Sequence, residues 1–252
     1  MADDGEAGRV GTNIRMLLIL EAVAHARSAV TPTEINARVK LPKQSIHRLC
    51  ERMVAEGFLA REPGDRGLVP GDRARVMARG LMGVGPIAQS RRAILERLSR
   101  SIGETVNFVV PEIDGMTYLD RVETHWIFRV ELPIGSHVPF HCTASGKCYL
   151  ASLTPRERRS LLADRNEART PNTIVSRAAL EAEIADIAAK GYALDREELF
   201  EGMVALAVPV IGADGVFQAA IALHGPVQRL AIESLPDHLP AMREAAEQLA
   251  AL

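Results

Sequence analysis

Residues 42–66 hold a set of side chains suited to reading a nucleic acid. Lys43, Gln44, Ser45, His47 and Arg48 cluster within six positions. A glutamine amide can pair with an adenine edge, an arginine with a guanine edge, and serine or lysine with a phosphate. Ile46, Leu49, Cys50, Met53 and Val54 recur at helical spacing. The polar five therefore lie off the apolar stripe of one helix. Arg52 follows one turn later on the same face. Arg61 and Arg66 flank Pro63-Gly64-Asp65, a turn between the short apolar runs Phe58-Leu59-Ala60 and Gly67-Leu68-Val69. Thr33, at the start of the preceding helical stretch, is counted with this set.

A second constellation suits a small acid. Thr143-Ala144-Ser145-Gly146-Lys147 opens a helical pattern, and a helix start offers unpaired N–H groups and a favourable dipole to an anion. The bland alternative is that Gly146 relieves packing and Lys147 is solvated. Arg121 and Arg129 lie on strand-like runs and can clamp a carboxylate, or simply face water. His137, His141, Cys142 and Cys148 fit no zinc-finger spacing. Cys142 beside His141 has no nucleophile elbow to support a hydrolase. Glu197-Glu198 reads as a turn with solvated acids. No catalytic residue and no metal ligand is assigned.

The elements that must carry these groups follow from periodicity and punctuation. A first helix near 12–27 has the stripe Ile14, Leu17, Leu18, Leu20, Val23 and Ala24. Thr31-Pro32-Thr33-Glu34 has the form of a capping box opening a short helix to residue 39. The third helix starts at Pro42 and stops at Gly57. Two helices, a tight turn and a strand hairpin make a winged helix-turn-helix, whose second helix enters the major groove. A linker helix, 73–82, ends among Gly80, Gly83, Gly85 and Pro86. Beyond it come a helix at 86–104 and strands at 105–110, 116–122 and 127–132. Helices are expected at 144–152, 154–163 and 176–190. Strands at 192–196, 204–211 and 216–223 follow, then a final helix at 236–251. Paired strands with grouped helices indicate an α/β mixed, α+β fold with a mostly antiparallel sheet.

The 252 residues are 47% hydrophobic, enough for a real core and too apolar for disorder. Three cysteines without a CxxC argue against a disulfide framework. The acidic first residues lack a signal-peptide pattern, and no long apolar run spans a membrane, so a cytoplasmic protein without a membrane partner is expected. The net charge of −2 hides a division. Residues 1–8 carry −3, residues 9–79 carry +6 and residues 80–252 carry −5, which points the 9–79 part toward a polyanion unless it reflects a chance surface.

Four colinear stretches carry a resemblance. TPTEINARVKLPKQSIHRLCERMVAEGFL (31–59), GSHVPFHCTASGKCYLA (135–151), KGYALDREELFEGMVALAVPV (190–210) and DGVFQAAIALHGPVQR (214–229) resemble, in order, segments of IclR-family transcriptional regulators. The resemblance implies a winged helix-turn-helix at 1–72, a linker helix and hinge at 73–86, and a GAF-like effector-binding domain at 87–252. It implies a homodimer or dimer of dimers on double-stranded, palindromic operator DNA. It implies no cofactor, only a small organic acid effector, aliphatic or aromatic. Carried over residue by residue, the effector pocket is Ala144, Ser145, Gly146, Asp195, Met203, Ala205, Ala222 and His224, with Arg129 added from its strand position. Members that bind small keto acids often have Cys and Ser-x-Ser where this chain has Ala205 and Ala222-x-His224. That departure favours a larger or more apolar acid, with His224 as donor or counter-charge. The competing function is a small-molecule sensor whose helix-turn-helix contacts protein.

Overall fold

A computed structural model describes residues 11–26, 28–62, 66–126 and 132–252. The chain divides between Leu81 and Met82 into two compact units. Among the described residues no helix is long and apolar enough to cross a membrane.

The first unit contains α1 (Thr12–Ala24), α2 (Pro32–Val39), α3 (Lys43–Ala55), β1 (Leu59–Arg61), β2 (Leu68–Pro70) and most of α4 (Asp72–Met82). The capping box forms as expected: the Thr31 N–H donates to Glu34 Oε2 at 2.7 Å, and the Glu34 N–H donates to Thr31 Oγ1 at 3.3 Å. The turn between α2 and α3 depends on two residues with no sequence signal. Lys40 takes the left-handed conformation (φ 54°), and the Asn36 amide clamps both backbone groups of Leu41, at 2.8 and 2.9 Å. Ile19, Ile35, Ile46, Leu49, Met53, Leu59 and Leu68 close the core. β1 and β2 pair antiparallel, and Val30 bridges to Leu68. The hairpin tip, 63–65, lies outside the described residues.

α1 differs from its expected stripe. Ile14 and Leu17 are more than half exposed, whereas Ile19, Ala22 and Val23 are buried. The helix is apolar on both sides, so the sequence pattern could not say which side faces the core.

The second unit begins with α5 (Pro86–Ile102) and holds one sheet. Its strands are β3 (Thr105–Pro111), β4 (Met116–Val122), β5 (His137–Val138), β6 (Ala193–Arg196), β7 (Met203–Ile211) and β8 (Phe217–Pro226). Their order is β5-β4-β3-β8-β7-β6, antiparallel throughout. Of the strand expected at 127–132, residues 127–131 lie outside the described residues and Leu132 is not in a strand; the two-residue β5 occupies the sheet edge instead. The remaining helices are α6 (Ala144–Ser152), α7 (Pro155–Leu161), α8 (Arg177–Lys190) and α9 (Leu239–Ala250).

Alternation along the strands sorts residues onto two faces. Val204, Leu206 and Val208 of β7 and Ile221 and Leu223 of β8 pack with α5 and α9. Ala193, Ala207 and Ala222 pack with Cys148 and Leu150 of α6 and Leu180 and Ile184 of α8. Small residues on this second face let α6 lie close to the sheet. Register then aligns two rows there: Asp195, Ala205, His224 and Thr105, and beside it Ala193, Ala207, Ala222, Asn107 and Arg121.

Candidate nucleic-acid interface and effector cavity

The apolar stripe of α3 is buried through Ile46, Leu49, Cys50 and Met53. Lys43, Gln44, His47 and Arg48 are exposed, and Ser45 is half-buried. None of the exposed four makes a side-chain hydrogen bond or ion pair among the described residues. Thr33 is exposed on the first turn of α2. Arg52 and Arg61 are placed differently: Arg52 pairs with Glu56 at 2.9 Å, and Arg61 pairs with Glu51 across the gap from β1 to α3. Arg66 is exposed at the start of the return strand. Among the described residues the face thus splits into an edge without side-chain partners and a flank on which Arg52 and Arg61 already have acids. Cys50 belongs to the core, where burial and the neighbouring Glu51 push its thiol up to about 11.

In the second unit, Ala144, Ser145, Asp195, Met203, Ala205, Ala222 and His224 all line one partly open cavity of about 30 Å³. Tyr118, Leu132, Thr143, Leu199, Phe200 and Val204 complete its wall; Tyr118 and Leu132 come from segments outside the four stretches that carried the resemblance, and the other four lie in two of the stretches that supplied the expected residues. Arg129 lies outside the described residues. That space has room for about two waters. A larger acid enters this space with movement of wall side chains such as the exposed Phe200 and the half-buried Met203.

Gly146 does not line the space. A Cβ there would lie 2.4 Å from the Phe140 carbonyl oxygen, so glycine permits the close approach of α6 to that loop. Its N–H is taken by Thr143 Oγ1 at 3.1 Å. The amides of Ala144 and Ser145, nearer the space, have no such acceptor among the described residues.

Lys147 is fully buried rather than solvated, and Glu198 beside it is buried too. Lys147 Nζ donates to Glu198 Oε1 at 2.5 Å and to Glu183 Oε1 at 3.2 Å. The solvated turn expected at Glu197-Glu198 is instead a fixed corner. Glu197 adopts φ 61°, and the hydroxyls of Thr170 and Thr173 donate to the carbonyls of Glu197 and Glu198 at 2.6 and 2.7 Å.

The electrostatics of the wall follow from burial. Asp195 accepts the Glu198 N–H at 2.7 Å, yet burial and the Glu198 charge raise its carboxyl to about 7. Burial and the nearby Arg121 hold His224 down to about 3, so the ring is neutral and is not a counter-charge. Arg121 is buried, not an exposed edge cation: it donates to Glu123 and to Asn107 at 3.0 Å each. Burial, Asp195 and Glu198 push the Cys142 thiol up to about 12, the opposite of what a nucleophile needs. His141 donates to the Glu167 carbonyl at 2.8 Å, and His137 pairs with Asp114 at 3.2 Å. Among the described residues no cluster of three or more His, Cys, Asp or Glu is placed to hold a metal.

The family model for the bacterial transcriptional regulator IclR C-terminal domain matches residues 81–251. The chain belongs to the IclR family. A MarR-family model matches residues 11–67 of this IclR-family chain. It is 37% identical over 238 residues to the probable transcriptional regulator SauR of Cupriavidus necator, covering 94% of each. It is 31% identical to the transcriptional repressor IclR of Escherichia coli, covering 88% of this chain and 82% of that one. Among solved structures it resembles an IclR homologue from Microbacterium hydrocarbonoxydans complexed with 4-hydroxybenzoate. That match has a TM-score of 0.61 and 26% identity, covering 96% of this chain and 98% of the other. The family is one of transcriptional regulators, and enzyme activity finds no support in these relatives.

Proposed function

We propose that this IclR-family chain is a ligand-responsive, DNA-binding regulator of a catabolic operon, and that its effector is a small organic acid. The observation that carries the DNA half is the exposed edge of α3. Lys43, Gln44, His47 and Arg48 stand in solvent with no side-chain partner among the described residues, on the helix that a winged helix-turn-helix offers to the major groove. Thr33, Ser45 and the flanking Arg52, Arg61 and Arg66 add phosphate contacts. Exposed apolar residues on α1 (Ile14, Leu17) and α4 (Val76, Met77) are what a second copy would cover. A homodimer, or a dimer of dimers, then matches a palindromic operator. The reader is assigned to 1–72, the linker and hinge to 73–86 and the effector domain to 87–252.

The effector half rests on the space between α6 and the sheet. An acid there meets the Ala144 and Ser145 amides, Asp195 and His224. The solved homologue that holds 4-hydroxybenzoate supports an organic acid as the ligand class. Binding changes DNA affinity only insofar as it favours one state of the protein over another. A route toward the hinge exists within the second unit. Asp120 is held by Arg91 at 3.2 Å and Arg92 at 3.1 Å, and Arg91 Nη2 donates to the Met82 carbonyl at 3.1 Å.

A mobility-shift titration with DNA from upstream of the chain's own gene tests the reading. A salt-sensitive, sequence-selective shift is expected. A shift with no sequence preference, or none, rejects DNA reading in favour of a protein-contacting sensor. A thermal-shift screen of aliphatic and aromatic acids identifies the effector class. His224→Ala should then abolish the effector response while DNA binding survives; an unaltered response moves the effector site elsewhere.

A further inference from the structure

A bulge in β4 decides which way Tyr118 faces. Arg121 pairs with Asn107 and Asp120 with Phe108, but Val109 pairs with Tyr118, so Leu119 is the extra residue. Strict alternation from Arg121, which shares the cavity face with Asn107, would point Leu119 toward the cavity and Tyr118 away from it. The bulge reverses this. Leu119 joins the core built on α5 and α9, and Tyr118 joins the core on the α6 side of the sheet. There Tyr118 lines the effector cavity while only 6% exposed.

A buried tyrosine hydroxyl ordinarily has a hydrogen-bond partner. That of Tyr118 has none among the described residues, and neither has that of Ser145, which lines the same cavity and is 3% exposed. Neither hydroxyl is sealed in. Among the described residues the fully enclosed side-chain atoms without a partner are Arg75 Nε, Asn166 Nδ2 and Glu198 Oε2. Each hydroxyl therefore keeps access to open space, and the space that both residues line is the cavity. Burial, opposed by Arg121 and aided by Asp195, pushes the Tyr118 phenol up to about 12, so it keeps its proton to donate. Asp195, in the same wall, offers carboxyl oxygens as acceptors. With room for about two waters, the cavity holds any occupant within reach of several wall groups at once. A group that meets two hydroxyls and a carboxyl must both give and accept hydrogen bonds. A hydroxyl does both, a keto oxygen only accepts, and a methyl does neither.

We propose that the Tyr118 and Ser145 hydroxyls set the specificity of this cavity and that its effector is a hydroxy acid, whose hydroxyl accepts from Tyr118 and Ser145 and donates to Asp195. The proposal rests on the reading of this cavity as the effector site and narrows the class of acid it takes. It also separates recognition from folding. Deleting either hydroxyl breaks no hydrogen bond of the free protein, so the free protein should be no less stable without it.

The test uses the full chain with tyrosine labelled at the ring carbon that bears the hydroxyl. The chain has three tyrosines, so Tyr118→Phe assigns the signal by removing it. The probes are the sodium salts of propionate, lactate, 3-hydroxypropionate and pyruvate, at ionic strength held constant with chloride. At least one of the two hydroxy acids should shift the Tyr118 signal saturably and bind about tenfold more tightly than propionate or pyruvate. Tyr118→Phe should reduce that hydroxy acid to the propionate level, and Ser145→Ala should weaken it several-fold. Both variants should melt no lower than the wild type. Propionate or pyruvate binding as tightly as the hydroxy acids overturns the proposal. So does a Tyr118 signal that stays unmoved, or a Tyr118→Phe protein that keeps the preference. Variants that melt well below the wild type overturn it too, because the hydroxyls then hold the fold. If the four acids bind equally and His224→Ala abolishes all of their binding, the effector site stands and only the hydroxyl assignment falls. If none of the four binds, both fall together.

Discussion

On α3, four polar side chains extend into solvent with no side-chain partner among the described residues; at and behind the cavity wall, Lys147, Asp195 and Glu198 are buried and bonded together, and Arg121 is buried against Asn107 and Glu123. The contrast separates two ways of preparing a site. A reading edge kept in water pays little for its polar groups and leaves them free for an outside partner. A buried site must satisfy its own charges first, so its geometry is set before any ligand arrives. Mutations at the two places should therefore differ in what they damage. The α3 edge should lose binding with the fold intact, and the cavity wall should lose stability first.

The largest effect is expected at Lys147. Lys147→Met leaves the Glu198 carboxylate buried without its cation, a kind of change that costs about 3–5 kcal/mol. Urea unfolding of the variant measures it. Adding Glu198→Gln should restore part of the loss, because the stranded charge is then gone. A Lys147→Met protein as stable as the wild type would mean that the pair does not organise the corner.

Asp195 comes next, and its effect depends on pH. Its carboxyl is raised from the ordinary 3.8 to about 7 in the fold. The folded chain thus holds a proton that the unfolded chain releases, and stability falls as pH rises from about 4 to about 7. The full swing is on the order of 4 kcal/mol, at 1.36 kcal/mol per pKa unit. Asp195→Asn keeps an oxygen for the Glu198 N–H and removes the titration. It should flatten the profile and be the more stable protein at pH 8. An unchanged slope between pH 5 and 7 would place the proton elsewhere. An acid effector beside Asp195 should also bind more tightly at pH 6 than at pH 8.

At the reading edge the expected cost moves from stability to affinity. Arg48→Ala should cost about 1–3 kcal/mol of operator binding if Arg48 reaches a base edge, with an unaltered melting temperature. A loss that is uniform across operator variants would instead make Arg48 a phosphate contact.

The same contrast explains what could be read from the sequence. The α3 edge was legible because a helix displays its two faces in its own spacing, and Ile46, Leu49, Cys50 and Met53 marked the inward side. The capping box at Thr31 was legible for the same reason: its partners are three residues apart. The seven residues that meet at the cavity came from a family resemblance, not from spacing. What joins them was not legible. Arg121 meets His224 across 103 positions and Lys147 meets Glu198 across 51, through a sheet register that periodicity does not reveal. Gly146 and Lys147 show the limit most clearly. Adjacent in a motif that suggested an anion site, one is a packing glycine and the other a buried cation.

The smallest expected effect lies where the two regimes meet, at the wing. Arg61 is exposed like the reading edge but paired like the cavity wall, its partner being Glu51 on α3. Both side chains are more than half exposed, so water screens the pair and its contribution to stability is about 0–1 kcal/mol. Under the proposed DNA reading, a phosphate would compete with Glu51 for the same guanidinium. Glu51→Gln should accordingly leave the melting temperature within a degree or two and strengthen operator binding a few-fold at low salt. Arg61→Ala should weaken binding evenly across sequences and lower the salt dependence by about one contact. If Glu51→Gln weakens binding, Glu51 is holding the wing in its reading position, and the flank belongs with the preorganised site rather than with the open edge.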